Sequence, residues 1–418
     1  MAFHRRHGVL HIESLSIQDL AKQYGTPLYL YSKHIILEKL AHYRRGLGDC
    51  DHVICFPVKC NSNQALLHFL RRQGCGFDVA SSGELLRVLE IHCNPQKIVF
   101  SGVGKSTYEL KLGLEVGIKC FNTESWQEID RLEEIARSSG TVAPVSVRVN
   151  PDVDVATHPY LATGLKSNKF GIPLEEAPEL YSRIRSSPFL QAEGVDCHVG
   201  SQILHLQPLL EARDCLLELV NRVGKSGVDL NFVDLGGGIG VPYRPNDPSP
   251  DISEWVRTLA APIASKGMQV IIEPGRSLLA ESGVLVTTIE YLKRGCRNFA
   301  IVDASMTELI RPALYGSYHR VEEVIRRESE GQIYDVVGPV CENSDVLAEE
   351  RLLRVFPGDS LVIFHAGAYG SSMSSNFSSR TRAAEVMVDK NASYLIRERE
   401  SEEELRRRDH LLPEVAFK

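Results

Sequence analysis

A parallel (β/α)8 TIM-type barrel carrying a second, mostly antiparallel β-sandwich or small barrel domain is the fold class that this 418-residue sequence predicts. Two observations carry that prediction. Between positions 52 and 276 one grammar repeats: a short β-branched run, a turn, then a stretch whose apolar residues recur at helical spacing. Beyond Arg276 the grammar changes to β-rich segments divided by turn signals such as Pro357-Gly358-Asp359, with few helices between them.

The barrel runs are Val53 to Val58, Gly76 to Ala80, Lys97 to Ser101, Lys119 to Asn122, Val145 to Asn150, Ala192 to Val199, Asn231 to Leu235 and Gln269 to Glu273. Helical stretches punctuate them, such as Glu124 to Arg137 before Ser138-Ser139-Gly140, and Leu206 to Val223 before Gly224. Eight such units over roughly 250 residues suit a closed barrel better than an open doubly wound sheet. The barrel domain is expected over residues 33–276.

The later runs are Gly283 to Tyr291, Phe299 to Ala304, Ile333 to Val340, Leu352 to Val355, Leu361 to Phe364 and Glu385 to Ile396. Gly8 to Ile12, a short helix at Ile17 to Gln23, and Pro27 to Tyr31 precede the first barrel strand. Residues 1–32 and 277–418 are therefore expected to form one discontinuous β-rich domain. The charged run Arg397 to Arg408 reads as a solvated terminal helix.

Composition narrows the function. A net charge of -7 without a basic cluster gives no footing for nucleic acid. No apolar run approaches the roughly 18 residues that span a bilayer, and Met1 to His7 is not followed by a signal-peptide segment. A soluble, cytoplasmic protein with neither membrane nor nucleic-acid partner is expected. Ten cysteines occur without a Cys-x-x-Cys pair, and most read as small buried hydrophobes in strands and helices. They imply neither disulfides nor a metal site.

Barrel chemistry gathers at the carboxyl ends of the strands. Lys59 follows the apolar run His52 to Phe56, where a charged ammonium is costly unless paired, deprotonated or covalently used. A Schiff-base lysine is the sharp reading, and a lysine extending to solvent is the ordinary one. Strand six ends in Cys197-His198-Val199-Gly200-Ser201-Gln202, strand seven in Asp234-Leu235-Gly236-Gly237-Gly238-Ile239-Gly240, and strand eight in Glu273-Pro274-Gly275-Arg276. Loops after strands seven and eight are the recurrent phosphate cradle of this fold, where glycine N–H groups converge on an anion. No Walker-type Gly-Lys-Ser/Thr is present in the loop, so the phosphate belongs to a held cofactor. A cradle and a buried lysine together suggest pyridoxal 5'-phosphate. Glu273 is placed to partner its ring nitrogen, His198 to stack on its face and Ser201 to bond its phosphate. Asp78 and Glu84 are expected near the lysine and histidine, with helix capping by Glu84 after Ser81-Ser82-Gly83 as the competing role.

Longer motifs lead to a resemblance. They are Tyr24-Gly25-Thr26-Pro27-Leu28-Tyr29, Asn150-Pro151-Asp152-Val153-Asp154, Thr157-His158, Thr163-Gly164 and Asn168-Lys169-Phe170-Gly171. His198 to Ser201, Glu273 to Arg276, Arg311-Pro312-Ala313-Leu314-Tyr315 and Gly338 to Asp345 follow, then Gly367-Ala368-Tyr369-Gly370 and Met373 to Asn376. In this order, over nearly the whole chain, the sequence resembles the fold type III pyridoxal-phosphate decarboxylases, whose architecture is alanine racemase-like. Within them it is most similar to the branch that acts on meso-2,6-diaminopimelate.

The resemblance implies that Lys59 forms the Schiff base, His198 covers the cofactor face, and Asp78 supports the lysine. It implies that Ser201, Gly236, Gly237, Gly238, Gly240, Gly275 and Arg276 hold the phosphate and that Glu273 partners the pyridine nitrogen. Arg276, Arg311 and Tyr315 would hold the retained carboxylate, Glu342 the distal ammonium, and Tyr369 both cofactor and substrate. A cationic clamp and an anion suit a substrate with two amino acid centres. A homodimer with shared sites is implied, Cys341 reaching the partner's cofactor as the proton donor. Cys341 sits in a polar loop, unlike the other nine cysteines in strands and helices, and a thiol titrates near the working range. The implied product is L-lysine, the last step of a biosynthetic route.

Decarboxylation of ornithine, arginine or a carboxylated polyamine is the alternative within the family, although Cys341-Glu342 replaces the aspartate usual there after the cysteine. A non-catalytic homologue is the other alternative. The sequence departs from the family pattern at Phe56, Cys60 and Phe377, which changes packing without removing a reactive group.

Overall fold

The computed structural model describes residues 2–153, 169–328, 330–413 and 416. The motif residues Asp154, Thr157, His158, Thr163, Gly164 and Asn168 lie outside them. The chain divides into two compact units, one of Ile36–Ala280 and one of Met1–Ile35 with Glu281–Lys418.

In the first unit eight parallel strands close on themselves. They are β1 (His52–Pro57), β2 (Gly76–Val79), β3 (Ile98–Phe100), β4 (Cys120–Thr123), β5 (Ala143–Asn150), β6 (Leu190–Asp196), β7 (Phe232–Asp234) and β8 (Gln269–Ile272). The ring closes where β8 meets β1, with Ile271 opposite Val53 and Ile272 opposite Ile54. Strand burial is nearly continuous, as a barrel covered outside by helices and filled inside requires. Phe56, Phe77, Phe100, Phe121 and Phe232 are all fully or almost fully buried. Phe232 fills the interior against Gly194, where a Cβ would come within 2.2 Å of its ring. The β5–β6 register shifts between Ala192 and Gly194 at the same place.

The four helices that follow β1 to β4 start where side chains can satisfy their first N–H groups. Asn63 caps α1 (Gln64–Arg72), Ser81 caps α2 (Ser82–Glu90), and Ser106 with Glu109 forms a capping box on α3 (Thr107–Val116). Ser125 caps α4, which runs over Trp126–Ser139 and ends on left-handed Gly140. Beyond them come α5 (Ala177–Arg185), α6 (Gln207–Lys225), α7 (Ile252–Ala264) and a short turn at Arg276–Leu279.

The second unit is a mostly antiparallel sheet. Its order is Val346–Leu353, Gln332–Val337, Phe299–Val302, Gly283–Lys293, Leu28–Ser32, Ala384–Asp389, Ala392–Arg397, with Ser360–Ile363 and Val321–Glu323 joining off this path. Two neighbouring pairs are parallel, Phe299–Val302 with Gln332–Val337 and Leu28–Ser32 with Ala384–Asp389. Leu28, Leu30, Val284, Val286, Val362, Val386 and Val388 bury one face together with Leu10, Ile12, Ile17 and Leu20.

Three expectations are corrected here. The run Glu385 to Ile396 is a hairpin of two strands that turns at Lys390, in a left-handed conformation at φ 56°. The run Leu352 to Val355 is the end of a strand that starts at Val346, masked in the sequence by the outward Glu349 and Glu350. The terminal helix spans only Glu402–Arg406, because Ala392–Arg397 pairs as a strand before it. Among the described residues no helix is long and apolar enough to cross a membrane.

Candidate active site

Lys59 stands on the single turn Val58–Cys60 directly after β1. Its side chain is 47% exposed, and its Nζ lies 2.6 Å from Oδ2 of the fully buried Asp78 on β2. This corrects the expectation of a buried lysine: the desolvation falls on the carboxylate instead. Burial raises the Asp78 pKa, but the Lys59 charge and hydrogen bond outweigh it and hold the carboxyl below its usual range. Glu84 acts as a cap, its carboxylate accepting the Ala80 N–H at 2.7 Å while its own N–H is donated to Ser81.

The closed ring brings the end of β8 beside that turn. A Cβ on Gly275 would lie 2.9 Å from Cγ of Pro57 and 3.4 Å from Sγ of Cys60. Arg276, buried, donates to Ser201 Oγ from Nε at 3.2 Å and from Nη2 at 2.9 Å, and from Nη1 to Tyr243 at 3.1 Å. The loops after β6 and β8 are thus tied at one hydroxyl.

The glycine loop after β7 needs its glycines at definite points. Gly236 and Gly238 have φ of 61° and 106°, which favour glycine. A Cβ on Gly237 would stand 2.2 Å from the Glu273 carbonyl oxygen, and one on Gly240 would meet Leu204 and Gln202. The Gly237 N–H donates to Nδ1 of His198 at 3.2 Å, so the neutral ring carries its proton on Nε2. Burial, then the charges of Arg148 and Lys59, pushes the His198 pKa down to about 3.

Glu273 follows β8, and its Oε1 is buried without a protein partner. Burial and then the Asp234 charge push its pKa well above the usual carboxylate range. Asp196 at the end of β6 is pushed up to about 7, mainly by burial, although Arg148 lies 3.8 Å away and opposes the shift. Sequence reasoning missed Asp196 and Arg148 and gave Asp234 no role. Their signal is a lone charge inside a valine-rich run, as in Val147-Arg148-Val149. It also missed Gln202, whose amide clamps the glycine loop by donating to Val241 O at 2.6 Å and accepting the Val241 N–H at 3.2 Å.

The other expected site residues belong to the second unit. Arg311 is buried, with Nη1 3.0 Å from Nε2 of His319 and Nη2 donating to Ser317 at 3.3 Å, and Tyr315 ends its short helix. Tyr369 adopts a left-handed conformation at φ 56°. Cys341 and Glu342 are exposed on a loop that Asp345 braces by accepting the Met306 N–H at 2.6 Å and the Val340 N–H at 2.8 Å. A cavity of about 360 Å³, lined by Met306, Ile310, Glu342, Ser375 and Phe377 among others, opens beside it. The expectation that the other nine cysteines lie in strands and helices is corrected: Cys50 and Cys296 sit in bends, Cys75, Cys93 and Cys197 lie outside regular structure, and Cys296 is exposed like Cys341.

Comparison with known proteins agrees with this geometry. Residues 33–280 match the family described as pyridoxal-dependent decarboxylase, pyridoxal binding domain. The chain is 46% identical to the diaminopimelate decarboxylase of Pseudomonas aeruginosa, over 99% of each sequence. The crystal structure of the Helicobacter pylori diaminopimelate decarboxylase complexed with L-lysine matches with a TM-score of 0.89 at 39% identity, covering 93% of this chain and 98% of that one. The crystal structure of diaminopimelate decarboxylase from M. jannaschii in co-complex with L-lysine matches with a TM-score of 0.93 at 32% identity, covering 99% of this chain and 98% of that one. A barrel with a paired lysine, a glycine cradle and a buried carboxyl at one mouth, and these relatives along its whole length, place the chain in the diaminopimelate decarboxylase family of pyridoxal-dependent decarboxylases.

Proposed function

We propose that the protein is a pyridoxal-phosphate-dependent carboxy-lyase that removes the carboxylate from the D-centre of meso-2,6-diaminopimelate, giving L-lysine and CO2. The observation that carries the reading is the meeting, at one barrel mouth, of an amine paired with a buried carboxylate and a loop whose glycine positions leave no room for a Cβ. The group fits the residues: the orphaned Glu273 oxygen offers a partner for a ring nitrogen, and the Arg276 guanidinium, held on Ser201 beside a loop whose glycines let the backbone approach closely, offers positive charge for a phosphate. When bound, pyridoxal phosphate supplies an aldehyde for the amine and a π-system that accepts the electron pair left by the departing carboxylate.

The chain's own residues do the rest. Asp78 keeps the Lys59 amine oriented at the strand end. His198, neutral, offers an uncharged imidazole face beside the cradle, and Ser201 with Arg276, Gly236, Gly237, Gly238, Gly240 and Gly275 would hold the phosphate. Arg311, Tyr315 and Arg276 would hold the retained carboxylate, Glu342 the distal ammonium, and Tyr369 would contact both cofactor and substrate. Cys341 of a second copy would give its thiol proton to the carbon that lost CO2, which makes a homodimer with shared sites part of the reading. A cytoplasmic setting fits a soluble substrate of this kind.

Borohydride treatment of the protein loaded with pyridoxal phosphate should fix the cofactor on Lys59, read by peptide mass. Turnover of meso-diaminopimelate should exceed that of ornithine and arginine at least a hundredfold, a loss expected when the clamp for a second carboxylate goes unused. A preference for ornithine or arginine would overturn the substrate.

A further inference from the structure

Asp78, Glu124, Asp196, Asp234 and Glu273 gather at the carboxyl end of the barrel with Lys59 and Arg148, while Arg276 there is engaged by Ser201 and Tyr243. Lys59 lies 2.6 Å from Asp78, and Arg148 lies 3.3 Å from Glu124 and 3.8 Å from Asp196. These contacts engage both cations at other carboxylates. Asp234, ending β7, and Glu273, following β8, are left facing one another, and their side chains meet.

One oxygen from each of Asp196, Asp234 and Glu273 lies within 4.8 Å of the others. Asp234 Oδ1 accepts the Gly236 N–H at 2.9 Å. Asp234 Oδ2, Glu273 Oε1 and Asp196 Oδ1 are buried with no protein donor. Two carboxylates are acceptors only and cannot satisfy each other, whereas one proton between them turns repulsion into a hydrogen bond. The remaining titratable neighbours add no positive charge. The thiols of Cys55, Cys120 and Cys197 are buried and pushed upward, so they stay neutral, as do the Tyr181 phenol and His198.

We propose that Asp234 and Glu273 share one proton in the cofactor-free protein, and that Asp234 is a positioning residue that keeps this proton available at Glu273 for the ring nitrogen of pyridoxal phosphate. The second half rests on the reading that Glu273 faces that nitrogen. The transfer balances without a co-reactant: an O–H bond of the pair breaks, an N–H bond forms with the nitrogen lone pair, and the pair passes from one negative charge to two while the nitrogen gains one positive charge. Burial first, and then the neighbouring carboxylates, pushes both members of the pair well above the usual carboxylate range.

Infrared spectroscopy of the cofactor-free protein tests the shared proton directly. The wild type should show a protonated carboxyl band at pH 7, and 13C labelling of aspartate carboxyls or of glutamate carboxyls should each shift it. In D234N the titration midpoint of the Glu273 carboxyl should fall by at least one unit, a tenfold loss of proton affinity. Absence of the band, a shift with one label alone, or an unchanged midpoint in D234N overturns the proposal. The labelled wild type decides the matter even if D234N does not fold. The band is read without cofactor, so a protein that failed to bind pyridoxal phosphate would refute the function and still leave the pair testable. With the cofactor loaded, its 15N-labelled ring nitrogen should be protonated in the wild type and less so in D234N, and equal protonation would remove the positioning role.

Discussion

Lys59 and Asp78 divide a cost unequally. The ammonium is half exposed, the carboxylate is fully buried, and the contact is 2.6 Å. Asp78→Asn takes away the buried charge itself and leaves a half-exposed ammonium to water, so the lost pairing is worth about 1 kcal/mol, the scale of a solvent-screened ion pair. Asp78→Asn should therefore lower stability by that amount near pH 7 and kcat/KM about tenfold. The Asp78 pKa is depressed in the fold, so its contribution is present above the unfolded value of about 4 and lost as the pH falls through the folded one. The stability difference between wild type and variant should accordingly vanish in acid, as followed by thermal melts across pH. Lys59 is legible in the sequence because a lysine ending an apolar run is anomalous by itself. Its partner Asp78 is legible too, as a carboxylate at the second strand end, but that the carboxylate and not the lysine carries the desolvation is not, since the pairing of β1 with β2 is tertiary.

At the scale of elements, the eight-unit barrel is readable from period and punctuation, because α/β alternation writes each unit locally. Short or edge strands such as Val321–Glu323 and Val346–Leu353 are less readable, since three residues carry no period and an exposed edge carries polar side chains. The glycine loop lies between these cases. Its composition is plain, but the reason for Gly237 is the Glu273 carbonyl 2.2 Å from where a Cβ would stand, a contact between the segments that follow β7 and β8. Overpacking of this sort costs about 1–3 kcal/mol. Gly237→Ala should weaken pyridoxal phosphate binding about 10- to 100-fold, measured by absorbance titration. Gly224→Ala, in helix α6 with nothing within 4 Å of its Cβ, should leave binding unchanged.

At the scale of the molecule, the residues of the proposed function are divided along the chain. Lys59 belongs to the unit Ile36–Ala280, whereas Arg311, Cys341 and Glu342 belong to the other. Cys341 is exposed, yet its loop is braced by two backbone N–H bonds to Asp345, so the thiol is presented on a supported segment and not on a loose one. Neither that brace nor the presentation is legible from the sequence, where Gly338 to Asp345 shows only a polar loop. A rigidly presented, solvent-facing thiol fits a residue that completes a site on a second copy. Lys59→Ala and Cys341→Ala proteins should each be inactive or nearly so when pure, the first for want of the amine and the second for want of the proton donor. Mixed under exchange, half of the dimers become hybrids, and each hybrid has one site with both an intact lysine and an intact cysteine. Recovery should then approach about a quarter of wild-type activity. Recovery must rise with the hybrid fraction measured by native mass spectrometry; hybrids that form without activity would mean that Lys59 and Cys341 serve the same site from one chain.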